Sequence, residues 1–354
     1  MKPSFIIAEA GVNHNGNFEI AKKLVDAAMK TGADSIKFQT FKAENLVTKT
    51  AQKAKYQDEN IGKGSTQFEM LKKLELSYED FAELKKYCDK KGILFLSTPF
   101  DEESADFLDS IGMEIFKIPS GEIGNKPLIQ YIANKRRPII LSTGMSYLTE
   151  VEEALGWIHD TWGGTDILNN SKRSGLVDSY DFSLAILHCV SNYPASPSDI
   201  NLKAMLTMRD EFNVVTGYSD HTAGIEIPIG AVAMGAEIIE KHFTLDKNMD
   251  GPDHRASLDP EEFKAMVSAI RNVEMAIGDG QKIPTVSEMN VREVARKSLV
   301  AVKGIKAGDV IKSTDICIKR PGTGILPKDR ERVVGMKATK SIEADSVIRW
   351  EDLN

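Results

Sequence analysis

Eight times along this chain a short run rich in Ile, Val, Leu and Phe is followed by an amphipathic stretch. That alternation constrains the fold more than any other feature, because it is the pattern of repeated βα units around a parallel sheet. The strand candidates are Phe5 to Ala8, Ser35 to Gln39, Leu94 to Thr98, Ile115 to Ile118, Ile139 to Thr143, Leu184 to Val190, Val214 to Ser219 and Ile238 to Phe243. Helical periodicity occupies the intervals, for example Ile20 to Lys30, Tyr78 to Lys90, Leu148 to Trp162 and Glu261 to Ile277. Eight such units predict a TIM (β/α)8 barrel, with a doubly wound open sheet as the alternative that periodicity leaves open. The strand ends favour closure. Nearly all of them finish in polar groups, among them Glu9, Lys37, Gln39, Thr98, Lys117, Ser120, Asn192, Ser219, His221, Glu240 and His242. Eight decorated ends converge on one place only if the sheet closes.

Some segments fall outside the repeat. Residues 42 to 76 form a long polar connection after the second strand, the length of a lid or binding loop. Residues 163 to 182 read as a turn-rich insertion on the helix-to-strand side, where a structural or assembly role is expected. Polar composition and Pro284 mark residues 282 to 295 as a linker between a barrel of residues 1 to 281 and a β-rich module of residues 296 to 354. A chain of 354 residues is longer than one core normally serves, which agrees with two domains.

Composition narrows the function classes. With 42% hydrophobic and 27% charged residues the chain has material for a core. The tail from Arg296 carries 13 Lys+Arg against 8 Asp+Glu, a net +5, which leaves −12 on residues 1 to 295. A basic module near an acidic body or an anionic ligand fits this balance. Nucleic-acid binding does not, because the basic residues form neither a run nor a pattern interleaved with aromatics. Cys88, Cys189 and Cys317 lack metal-ligand or redox spacing and read as reduced thiols. The apolar stretches are too short for a signal peptide or a membrane span, so a cytoplasmic protein is expected.

The residues able to do chemistry cluster at those strand ends. His221 in GYSDHT and His242 in IEKHF close the last two strands, where two imidazoles on neighbouring strands can hold one divalent ion or simply pack as core histidines. Lys37 and Lys117 interrupt apolar strands, and an unpaired buried lysine is costly. Ion pairs with Glu9 or Glu122, a Schiff-base role, or a site for a small anion bearing phosphate and carboxylate all remain open. Thr98, Ser120 and Ser219 supply hydroxyl donors that suit the last of these. Glu122 and Asp253 read by default as caps or salt-bridge partners, whereas Glu9 interrupts FIIAEAG where a core residue is expected.

Taken in series, FIIAEAGVNHNG, KFQTF, FLSTPFD, FKIPSGE, ILSTGM, GYSDHT, EKHFTLD, GPDHRASL and KRPGTG resemble the bacterial sialic acid synthases, over almost the whole chain and in order. The resemblance implies a TIM barrel followed by a small antifreeze-like (SAF) domain, swapped across a homodimer. It implies condensation of phosphoenolpyruvate with an N-acylated amino sugar and water, giving a nine-carbon 2-keto-3-deoxy acid and phosphate. His221 and His242 would bind Mn²⁺ or Mg²⁺, and Glu9 would join them in catalysis. Lys37, Thr98, Lys117, Ser120, Asn192 and Ser219 would hold phosphoenolpyruvate, while Gln39, Glu122, Tyr193 and Asp253, with Glu9, would face the sugar. Arg320 would reach in from the other subunit toward the N-acyl group. KAENLVTKTAQKAKYQ and GPDHRASL resemble the legionaminate-type branch, which takes 2,4-diacetamido-2,4,6-trideoxymannose, more than the branch that takes N-acetylmannosamine. The rival readings are a lysine-dependent pyruvate aldolase and a non-catalytic sugar-binding protein on the same fold.

Overall fold

The computed structural model describes residues 2 to 164 and 182 to 354; most of the expected insertion at 163 to 182 lies outside the described residues. The chain divides into two compact units, residues 1 to 278 and 279 to 354.

The first unit carries the eight expected βα repeats, with three further short helices after the second strand. In chain order its elements are β1 (Phe5–Gly11), α1 (Phe18–Thr31), β2 (Ser35–Thr40), α2 (Ala43–Leu46), α3 (Lys55–Ile61), α4 (Gln67–Leu74), α5 (Tyr78–Lys91), β3 (Leu94–Pro99), α6 (Glu102–Ser110), β4 (Phe116–Ile118), α7 (Lys126–Ala133), β5 (Ile139–Ser142), α8 (Leu148–Thr161), β6 (Leu184–His188), α9 (Lys203–Phe212), β7 (Val215–Asp220), α10 (Glu226–Ala233), β8 (Ile238–His242) and α11 (Pro260–Ile277). All ladders are parallel and run β3-β2-β1-β8-β7-β6-β5-β4. β3 and β4 lie against each other without a ladder, so the sheet is a nearly closed barrel.

Strand alternation then decides what the barrel encloses. Phe5 and Ile7 of β1, Leu94 and Leu96 of β3, Ile140 of β5, Ala185 and Leu187 of β6 and Ile238 of β8 pack together inside it. Their neighbours in sequence face outward into a larger core shared with the helices. Two residues further along the same inward columns stand Glu9, Thr98, Ser142, Cys189 and Glu240. The interior is therefore apolar below and polar at the C-terminal end of the strands. Gly217 of β7 is fixed by this crowding: a Cβ there would come within 2.3 Å of the Ile238 carbonyl and 2.7 Å of Leu187 Cδ2.

The segment of residues 42 to 76 differs from the expected loop, because it holds α2, α3 and α4. A capping box between Thr66 and Glu69 starts α4, whose Met70, Leu71 and Leu74 bury against Val12, Phe41 and Ala43 in a small core of their own. Asn60 Nδ2 donates to Pro252 O at 2.6 Å and ties α3 to the loop after β8.

In the second unit, α12 (Val286–Ala295) occupies much of the expected linker, and β9 (Ser298–Ala301) pairs antiparallel with β10 (Ile316–Lys319) ahead of α13 (Arg330–Val333). Isolated bridges and turns around Leu299, Ile311, Ile325 and Ile348 complete its core. The three cysteines are free. Among the described residues no helix is long and apolar enough to cross a membrane.

Candidate active site

At the C-terminal mouth of the barrel, β1, β2, β4 and β8 bring four buried charges together, with β7 beside them. Register sets Glu9 beside Lys37 on one side and His242 on the other, and Ser219 beside Glu240. Lys37 Nζ lies 2.6 Å from Glu9 Oε2 and 3.6 Å from Glu240 Oε2, while Lys117 Nζ lies 3.3 Å from Glu240 Oε1. Hydroxyls complete the cluster: Lys37 Nζ donates to Thr98 Oγ1 at 3.2 Å, and Ser219 Oγ donates to Glu240 Oε1 at 3.0 Å. Gln39 Nε2 reaches Glu9 Oε1 at 3.3 Å.

The four groups differ in how burial and neighbours balance. Burial pushes Glu9 up to about 7 against the pull of Lys37, with Glu240 adding to the rise. Burial acts on Glu240 in the same sense, but Lys117 and Lys37 flank it and hold it down at about 2. Burial likewise lowers Lys117, whereas the two carboxylates overcome it at Lys37 and raise that ammonium.

Beside this charged set stands a neutral one. The rings of His221 and His242 are 5.4 Å apart, and Tyr193 packs on both, at 4.1 Å and 5.4 Å. His221 Nδ1 donates to Val190 O at 2.5 Å, which leaves its Nε2 lone pair free. His242 Nδ1 is buried with no hydrogen-bond partner. Burial lowers both imidazoles, His221 to about 4, so both are neutral and able to act as ligands. Two neutral imidazoles at neighbouring strand ends, one with an orphaned nitrogen, fit a divalent cation with further positions left for water or substrate. Among the described residues no group of three or more His, Cys, Asp or Glu side chains is arranged to hold a metal.

A cavity of about 390 Å³ joins the two sets. Of the residues expected at the site, Glu9, Lys37, Gln39, Thr98, Lys117, Ser120, Tyr193, Ser219, His221 and His242 line it. Asp253 lies in a neighbouring cavity that shares Gln39, Tyr193 and His242. Burial raises its carboxyl to about 6, and its Oδ1 has no partner. Two of the expected residues in the first unit line neither cavity. Asn192 is exposed although its neighbours Ser191 and Tyr193 line the cavity, because the turn after β6 faces it outward. Glu122, on the turn after β4, accepts instead from Asn125 Nδ2 at 2.7 Å and lines neither cavity. Arg320 is an exposed residue of the second unit, next to β10.

Sequence reasoning missed Tyr56, Gln67 and Phe100 as lining residues, and it placed Glu240 at a strand end without giving it a role. Glu240 was legible: it stands two residues before His242 in IIEKH and so shares its face. Tyr56, whose ring is 5.2 Å from that of Tyr193, comes from α3, outside the barrel repeat, and no periodicity points to it.

Known proteins resemble the chain in both of its units. The profile of the NeuB family matches residues 24 to 282, and that of the SAF domain matches residues 296 to 354. The chain is 48% identical to an N,N'-diacetyllegionaminic acid synthase of Legionella pneumophila, covering 99% of this chain and 94% of the relative. It is 47% identical to the enzyme of the same name from Campylobacter jejuni, covering 99% and 100%. Among solved structures it resembles the N-acetylneuraminic acid (sialic acid) synthetase of Leptospira borgpetersenii, crystallised with citrate. That match has a TM-score of 0.67 and 35% identity, over 82% of this chain and 90% of the other.

Proposed function

Since the chain belongs to the NeuB family, we propose a reading of its site in which the charged set receives phosphoenolpyruvate and the neutral set receives the sugar aldehyde. The protein is a sialic acid synthase that condenses phosphoenolpyruvate with an N-acylated amino sugar. The acceptor we assign is 2,4-diacetamido-2,4,6-trideoxymannose, on the 48% and 47% identity to two diacetyllegionaminic acid synthases against 35% to a sialic acid synthetase.

The observation that carries the division of labour is the contact of two lysines with two carboxylates and two hydroxyls in one buried cavity beside a pair of neutral imidazoles. Lys37 and Lys117 hold phosphate and carboxylate as fixed charges, with Thr98, Ser120 and Ser219 donating to the same oxygens. C3 of phosphoenolpyruvate attacks the aldehyde carbon of the open-chain sugar, forming the new C–C bond, and positive charge develops at C2. Glu240, between the lysines, stabilises that charge. Glu9, oriented by Gln39 and Lys37, aligns the acceptor and serves its proton transfers. Water adds at C2 with loss of a proton, and the tetrahedral adduct expels phosphate by C–O cleavage. A Mn²⁺ or Mg²⁺ ion held by His221 and His242 would supply Lewis acidity toward the aldehyde oxygen.

Arg320 is assigned to the acceptor's N-acyl group from a second copy of the chain in a domain-swapped homodimer, a reading supported by the SAF match and the net +5 of the tail. One observation favours a second mechanism: burial lowers Lys117, as a Schiff-base lysine requires. Borohydride reduction in the presence of pyruvate separates the two. No adduct, with phosphate release that a chelator stops, is the expected result; a stable adduct on Lys117 or Lys37 would overturn the condensation.

A further inference from the structure

A side cavity of about 230 Å³ opens off the charged one and shares Gln39, Tyr56, Gln67, Phe100, Tyr193 and His242 with it. Its far wall is apolar and belongs to the inserted segment: Val47, just after α2, with Met70, Leu71 and Leu74 of α4. Among these groups lies Asp253, only 8% exposed, whose Oδ1 has no hydrogen-bond partner. An unpaired buried acceptor is costly, and an apolar wall gives water little to bond. The cavity is complete only when it receives a hydrogen-bond donor with an alkyl group attached close by. A hydroxyl satisfies Asp253 and leaves the wall bare, whereas a methyl group covers the wall and leaves Asp253 unpaired. An acylamino group does both at once.

We infer that this side cavity is the subsite for a second acylamino group of the acceptor, with the amide N–H donating to Asp253 Oδ1 and the acyl methyl packed on Val47, Met70 and Leu71. The assignment rests on the reading that the acceptor is an N-acylated sugar. It makes the inserted helices, and not the barrel itself, the part of the protein that tells one such sugar from another. A site built to pair a buried polar group and an apolar wall rejects an acceptor lacking the matching group by about tenfold or more.

The test measures phosphate release with saturating phosphoenolpyruvate and Mn²⁺ for four acceptors. They are 2,4-diacetamido-2,4,6-trideoxymannose, 2,4-diacetamido-2,4-dideoxymannose, 2-acetamido-2,6-dideoxymannose and N-acetylmannosamine. The expected kcat/KM follows the second acylamino group: the first two agree within about threefold and exceed the last two by about tenfold or more. Filling the cavity from its half-buried rim with Val47→Trp, or opening the wall with Met70→Ala, is expected to bring that ratio toward one; the two variants guard against a folding defect in either. A ratio that follows the 6-deoxy carbon, or that neither variant changes while both melt as the parent does, overturns the subsite and leaves the condensation standing. Phosphate release with none of the four overturns the condensation, and the subsite with it.

Discussion

The charged and neutral halves of the barrel mouth solve the problem of buried polarity in opposite ways. Around Lys37 and Lys117 every ionisable group has a partner of opposite charge type within 3.6 Å. Around His221, His242 and Asp253 nothing is charged at neutral pH except Asp253, and two polar atoms, His242 Nδ1 and Asp253 Oδ1, are left without partners. The first half is thus preorganised and stable by itself, at the cost of being intolerant of any single deletion. The second half is held by packing, through Tyr193 on both imidazoles, and keeps two buried polar atoms unpaired.

The contrast is broken most severely by Lys37→Met, which leaves Glu9 without its cation and Glu240 with Lys117 alone in a buried pocket. Unfolding free energy is expected to fall by about 3 to 5 kcal/mol, with phosphate release lost, as read by denaturant titration and a phosphate assay. A variant as stable as the parent would show that the four charges are not coupled as described. His242→Ala is the opposite case. Turnover should drop by about a thousandfold or more while unfolding free energy falls by only about 1 to 2 kcal/mol, because the buried ring is lost as packing against Tyr193 and His221 and takes no ion pair with it. Wild-type turnover in that variant removes His242 as a ligand.

A pH experiment sharpens the distinction between buried groups that are paired and those that are merely neutral. His14, buried, accepts from the Gly16 amide at Nδ1, and burial lowers it to about 4. Its folded value lies below its unfolded one, so the unfolded chain takes up the proton first, and stability present above about pH 6.5 is lost as pH falls toward 4. A shift of this size corresponds to about 3 kcal/mol. In the metal-free protein, His14→Gln should flatten the decline of unfolding free energy between pH 7.5 and 5; an unchanged slope would assign the decline elsewhere. The mildest expected effect is that of Arg320→Ala, a rise of about tenfold in KM for the sugar with little change in that for phosphoenolpyruvate. An equal rise in both would contradict a sugar-facing role.

The amino-acid sequence carries the barrel clearly because period-2 runs such as FIIAEAG and IIEKH contain both the core column and the site residue that ends it. Phe5, Ile7 and Glu9 form one such column, and Ile238, Glu240 and His242 another. What periodicity cannot supply is whatever depends on how turns face or on contacts between distant segments. Asn192 and Tyr193 are adjacent in the chain, yet only Tyr193 lines the cavity, since the turn after β6 decides which of them faces in. The helices α2 to α4 resemble a polar loop because α2 and α3 are short and bury only Ala43 between them, and the apolar face of α4 serves a separate small core. Tyr56 enters the site from there with no signal of its own.

The most direct test of a charged half that binds phosphoenolpyruvate beside a neutral half that binds an aldehyde is one labelling measurement. Phosphoenolpyruvate carrying ¹⁸O in its bridging C–O–P position is turned over with 2,4-diacetamido-2,4,6-trideoxymannose and Mn²⁺, and the phosphate is read by ³¹P NMR. Phosphate that appears only when the sugar is present, and that retains the label, is the predicted result, because C–O cleavage carries the bridging oxygen away with phosphorus. Unlabelled phosphate, or release that does not depend on the sugar, would contradict it.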